Sequence, residues 1–127
     1  MEAPDRVVLV VDDEADVRDL VCTVLQKAGF RTVAASDGDE VLLLALAHRP
    51  SVIVLDLVMS RLDGYTALTR LQGHAATQEI PVIILTARTD ARYQMLSAGV
   101  GAAAHLTKPF SPRQLVETVQ RIAGDNG

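Results

Sequence analysis

The chain has 127 residues, 49% of them hydrophobic and 22% charged, with a formal net charge of -4. That composition suits one globular domain, expected to span 1–127 with its core at about 6–123. The acidic balance and the lack of a basic stripe argue against direct nucleic-acid contact, which calls for clustered Lys and Arg.

No apolar run approaches the roughly 18 residues that a membrane helix needs, and Met1-Glu2-Ala3-Pro4-Asp5 carries no signal pattern. A cytoplasmic protein without membrane contact is expected. The lone Cys22 lies among apolar residues at helical spacing, which reads as a buried thiol in a reducing compartment.

Apolar runs at 7–11, 31–35, 52–55, 82–85 and 102–107 are each followed by a helical pattern, giving five βα units. The runs are continuously aliphatic, as strands buried on both faces of a parallel sheet must be. The expected fold is therefore α/β, a three-layer sandwich of a five-stranded parallel sheet and five helices.

The first helix places Val17, Leu20, Val21, Val24 and Ala28 on one stripe, with Arg18, Asp19 and Gln26 opposite and Gly29 as a left-handed cap. A second helix begins near Ser36 or Asp37, a third near Asp63, and a fourth covers about Asp90 to Ala98. The last helix has Ser111 as N-cap, Pro112 at its first position and Gln114 completing a capping box, with Leu115, Val119 and Ile122 as its buried stripe.

The chemistry gathers at strand ends. Asp12 and Asp13 follow the first run and Asp56 follows the third. If those strands are neighbours, three like charges meet at one sheet edge, a cluster that a divalent cation would stabilise. Thr86 and Lys108 end two further apolar segments with a hydroxyl and an ammonium, so the set can handle a phosphate. Taken singly, Asp12-Asp13 reads equally as a helix start, Thr86 as a cap and Lys108 as a surface charge.

Four separated motifs, VLVVDDE, VIVLDLVMSRLDGY, PVIILTA and HLTKPFSP, make the chain resemble the receiver domain of two-component response regulators over nearly its whole length. The resemblance implies a flavodoxin-like sheet of order 2-1-3-4-5, with Asp56 accepting a phosphoryl group from a phosphohistidine. It implies Mg²⁺ held by Asp13, Asp56 and the backbone carbonyl of Val58, with Asp12 acting through a water. Lys108 and the Thr86 hydroxyl would take phosphoryl oxygens, and the Lys108–Pro109 bond would be cis.

The implied donor is a sensor histidine kinase or histidine phosphotransfer protein. The implied output is a change at the face of the fourth helix, fifth strand and fifth helix, read by an effector domain or protein. The chain would not be an enzyme beyond its own phosphorylation and dephosphorylation. A pseudoreceiver that binds partners without phosphorylation would lack an acceptor or metal residue, and all are present. A haloacid-dehalogenase-type phosphatase would need an aspartate two residues after the nucleophile, where this chain has Val58. A flavin binder would need a glycine- or hydroxyl-rich loop after the first strand.

Several positions depart from the family pattern. His105 stands where receivers usually carry Tyr or Phe; it reads either as a partly exposed histidine with no switching role or as an imidazole that adds pH sensitivity to the switch. Ala102-Ala103-Ala104, Thr118 and Gln120 replace charges of the salt-bridged dimer of winged-helix regulators, so a monomer or weak homodimer is expected. Ser60 replaces a common proline, and Gly99-Val100-Gly101 is expected to loosen the end of the fourth helix.

The segment Val41-Leu42-Leu43-Leu44-Ala45-Leu46-Ala47 is apolar almost all round a helix that should have a solvated face. It reads either as tolerated surface leucines or as a face covered by a partner or a second copy. Sedimentation velocity decides: loss of self-association in Leu43→Glu marks an interface, and identical behaviour of the two chains marks tolerated leucines.

Overall fold

The computed structural model describes residues 6–56, 64–86 and 102–124. Strands β1 (Val7–Val11), β2 (Arg31–Ala35), β3 (Val52–Asp56), β4 (Val82–Thr86) and β5 (Ala104–Thr107) form one sheet of order β2-β1-β3-β4-β5. Every neighbouring pair is parallel. The described helices are α1 (Ala15–Lys27), α2 (Val41–His48), α3 (Gly64–Gln72) and a C-terminal helix, Pro112–Ile122.

Side-chain alternation along buried strands divides the core in two. Leu9, Val11, Ile53, Leu55, Val82 and Ile84 pack with Val41 and Ala45 of α2 and Ala67, Leu68 and Leu71 of α3. Val8, Val10, Val52, Val54, Ile83, Leu85 and Leu106 face Val21 and Leu25 of α1 and Leu115 and Val119 of the C-terminal helix. The three layers follow because continuous aliphatic strands leave neither sheet face free for water.

Local signals set the helix ends. In α1, Gly29 takes φ +100 and the chain closes with Gly29 N–H to Gln26 O at 3.0 Å and Phe30 N–H to Leu25 O at 3.0 Å, the paired bonds of a Schellman motif. Asp37 accepts from Asp39 N–H and caps a single 3₁₀ turn, Gly38–Glu40, that leads into α2. Ser111 Oγ accepts from Gln114 N–H at 3.0 Å, and Pro112 occupies the first turn of the last helix.

Some sequence expectations shift. The fifth strand begins at Ala104, two residues late, because its ladder with β4 starts at Ile83 opposite Ala104. Strands β3 and β4 each run one residue further, to Asp56 and Thr86. The buried stripe of α1 is carried by Val21 and Leu25, while Leu20 is 51% exposed, and Cys22 is half-buried instead of buried. Burial still pushes the Cys22 thiol pKa up.

Leu43 of α2 is 71% exposed, and no described helix is long and apolar enough to cross a membrane. The start of α3 at Asp63, Ser60, the predicted fourth helix and Gly99–Gly101 lie outside the described residues.

Ile53, fully buried in the central strand, sets the scale of core packing. Ile53→Ala is expected to cost roughly 2–5 kcal/mol of unfolding free energy in urea melts, through lost burial and the cavity left behind. Leu43→Ala should stay within about 0.5 kcal/mol of the parent, as a surface change does.

Candidate functional site

The register fixes which residues meet. Val11 lies opposite Ala35 on one side and Leu55 on the other, Leu55 opposite Ile84, and Ile84 opposite His105, so one row crosses all five strands. One step further along, Asp12 leaves β1 level with Asp56, the last residue of β3. The strand order reverses between these two strands: β1 continues to β2, and β3 to β4 and β5. Ligand sites of open α/β sheets form at the carboxyl ends of strands at such a point.

Asp12, Asp13 and Asp56 each offer one carboxylate oxygen, and these atoms lie within 4.8 Å of one another. Asp12 is 1% exposed and Asp56 5%, while Asp13 is half-buried. Lys108, just past β5, reaches into the group. Its Nζ donates to Asp12 Oδ2 at 3.0 Å and to Asp56 Oδ2 at 3.4 Å, and Glu14 Oε1 lies 3.6 Å away. The Lys108–Pro109 peptide bond is cis.

Burial is the largest single influence on the Lys108 ammonium and works to lower its pKa. The hydrogen bond to Asp12 and the charges of Asp56, Asp12 and Glu14 outweigh it, so the pKa lies above the ordinary lysine value. The neighbouring carboxylates therefore hold the lysine in its cationic form.

Asp12 is held at every polar group. Its N–H donates to Ala35 O at 3.2 Å, its carbonyl accepts from Arg18 Nη1 at 2.8 Å, and its Oδ1 accepts from Glu14 N–H at 2.9 Å. With Oδ2 on Lys108, both carboxylate oxygens are engaged within the chain. Glu14 and Arg18 were not legible as site residues. Arg18 reads as part of the solvent face of α1, and only the turn out of β1 brings its guanidinium back to the carbonyl six residues earlier.

Thr86 ends β4 opposite Thr107, which puts its backbone at the same sheet edge. Val58 lies outside the described residues. The donor set is hard oxygen throughout, with a cluster small enough to share one ion, and it fits Mg²⁺ or Ca²⁺ better than a soft metal.

An open parallel sheet of this order, with an acidic cluster and a lysine at its switch point, defines a flavodoxin-like α/β domain with a candidate cation site. The response regulator receiver domain family matches residues 8–120, and the chain belongs to it. The phosphate regulon transcriptional regulatory protein PhoB of Escherichia coli is 36% identical over 117 residues, covering 92% of this chain and 51% of PhoB. A probable transcriptional regulator, ycf27 of Cyanophora paradoxa, is 35% identical over 122 residues, 96% of this chain and 50% of that protein. The chain thus spans about half the length of the curated relatives it matches.

Among solved structures, the chemotaxis protein CheY4 of Vibrio cholerae superposes with a TM-score of 0.87 at 33% identity, covering 92% of this chain and 98% of that one. The receiver domain of a Pseudomonas aeruginosa sensor histidine kinase, described with a magnesium ion coordinated in its active-site cleft, gives 0.87 at 26% identity, covering 94% and 98%.

His105 lies in β5 with its Nε2 buried and without a hydrogen-bond partner among the described residues. Burial lowers its pKa, so the fold favours neutral imidazole. The stability due to His105 is then fully present above the unfolded value of about 6.5 and is lost as pH falls from there through the lower folded value. Chemical unfolding from about pH 7.5 to about pH 5 should show the wild type losing more stability than His105→Phe, because the variant has no imidazole to charge.

Proposed function

We propose that this receiver accepts a phosphoryl group on Asp56 from the phosphohistidine of a sensor histidine kinase or histidine phosphotransfer protein, in a Mg²⁺-dependent reaction. The observation that carries this reading is the Lys108 ammonium shared between the buried Asp12 and Asp56 carboxylates at the switch point of the sheet.

Asp56 is the nucleophile: an Asp56 oxygen bonds to phosphorus as the P–N bond of the phosphohistidine breaks. Lys108 stands where it can move from carboxylate to phosphoryl oxygen without losing its charge partner. The Thr86 hydroxyl, from the neighbouring strand end, is the donor to a second oxygen. Phosphoryl transfer needs neutralised charge and in-line placement more than covalent help, and these residues supply that.

Asp13, Asp56 and the Val58 carbonyl would hold the ion directly. Asp12, with both its oxygens already accepting hydrogen bonds, suits contact through a water. When bound, Mg²⁺ would shield the acidic groups from the incoming phosphoryl oxygens. Hydrolysis of the aspartyl phosphate makes the mark temporary, so the chain works as a timed signal and not as an enzyme on other substrates.

The chain acts as one receiver domain over 1–127, with its core at about 6–123, in the cytoplasm. It passes its state, through the face around β5 and the C-terminal helix, to an effector domain or protein. The length of relatives such as PhoB supports an attached effector.

Incubation with a small phosphodonor and Mg²⁺ tests the reading by intact-mass spectrometry. The wild type should gain one phosphoryl group, while Asp56→Asn and wild type in excess chelator should gain none. Equal labelling of Asp56→Asn would overturn the assignment.

A further inference from the structure

Arg18 is half-buried on α1, and its Nη1 donates to the carbonyl oxygen of Asp12 at 2.8 Å, a length typical of a charge-assisted hydrogen bond. That carbonyl belongs to the planar peptide unit joining Asp12 to Asp13. Holding its oxygen holds the direction in which the chain leaves Asp12 and so the starting point of the Asp13 side chain. The rest of the turn is anchored already: Asp12 N–H on Ala35, Glu14 N–H on Asp12 Oδ1, and Arg18 N–H on Glu14 O at 3.0 Å. The guanidinium supplies a further tie.

From this geometry we propose that Arg18 is a positioning residue of the cation site, orienting the Asp12–Asp13 peptide so that the carboxylates of Asp12, Asp13 and Asp56 converge on one Mg²⁺. The proposal rests on the reading of these carboxylates as a Mg²⁺ site. Arg18 touches neither ion nor phosphoryl group and acts through the main chain.

Charge and positioning make opposite predictions, which gives the idea a clear sign. By Coulomb's law alone, a guanidinium near a divalent cation weakens its binding, so deleting Arg18 would tighten Mg²⁺. As a positioning residue, its deletion loosens the ligands, and loss of such outer partners typically weakens metal affinity about 10–100-fold.

Calorimetric titration with MgCl₂ of the full chain tests this, using wild type, Arg18→Met, Arg18→Lys and Asp13→Asn, with thermal unfolding in chelator as a check on folding. Arg18→Met should weaken Mg²⁺ about 10–100-fold, with Arg18→Lys, which keeps a donor, in between. Arg18→Met binding Mg²⁺ as tightly as wild type, or more tightly, overturns the proposal even if its unfolding temperature drops. Should Arg18→Met fail to fold, Arg18→Leu, which also lacks a donor, takes its place with the same expectation. Wild type that binds no Mg²⁺ removes the metal-site reading and this inference together. Loss of binding in Asp13→Asn with retention in Arg18→Met removes the inference alone.

Discussion

The Lys108 ammonium, seated on Asp12 and Asp56, is the contact on which the site depends. It joins the ends of β1 and β3 to the connection after β5, 96 and 52 residues away in sequence. Carboxylates crowded within 4.8 Å of one another repel, and burial removes the water that would screen them. A half-buried cation among them offsets both effects. The same contact opposes the tendency of burial to discharge the lysine, and the ammonium stays charged.

This arrangement depends on the sheet. Parallel strands send all their carboxyl ends to one edge, and the order β2-β1-β3-β4-β5 puts β1 beside β3 at the middle of that edge. Helix α1, which follows β1, packs on one face of the sheet and α3, which follows β3, on the other, so the chain leaves these two strand ends in opposite directions. The aliphatic strands act as a rigid base: Leu9, Ile53, Leu55 and Ile84 have no exposed surface, so the positions of Asp12 and Asp56 follow from core packing. On the proposed reading, a phosphoryl group on Asp56 would change what Lys108 pairs with. Because Lys108 is continuous with β5 and its half-buried His105, the effect would pass directly to the surface beyond.

Much of this was legible in the chain. Continuous aliphatic runs specify buried parallel strands because no alternation is left for a wet face. Ser111-Pro112 and Gly29 specify helix ends because capping and left-handed φ are local chemistry. The acidic residues at strand ends signalled a cation or phosphate site because an uncompensated cluster of this kind is costly. Leu20, expected on the buried stripe, is exposed and Leu25 is buried, since an apolar stripe on α1 can be drawn through either and only contact with the sheet chooses.

What the sequence determined by itself was everything that is local or periodic: strand and helix identity, caps, and the list of chemically capable groups. Tertiary structure decided which of these groups meet. The pairing of Lys108 with Asp12, the approach of Glu14 and the return of Arg18 to the Asp12 carbonyl all depend on register and on the direction of a turn. Those are set by packing between segments far apart in the chain, and no spacing within one segment encodes them.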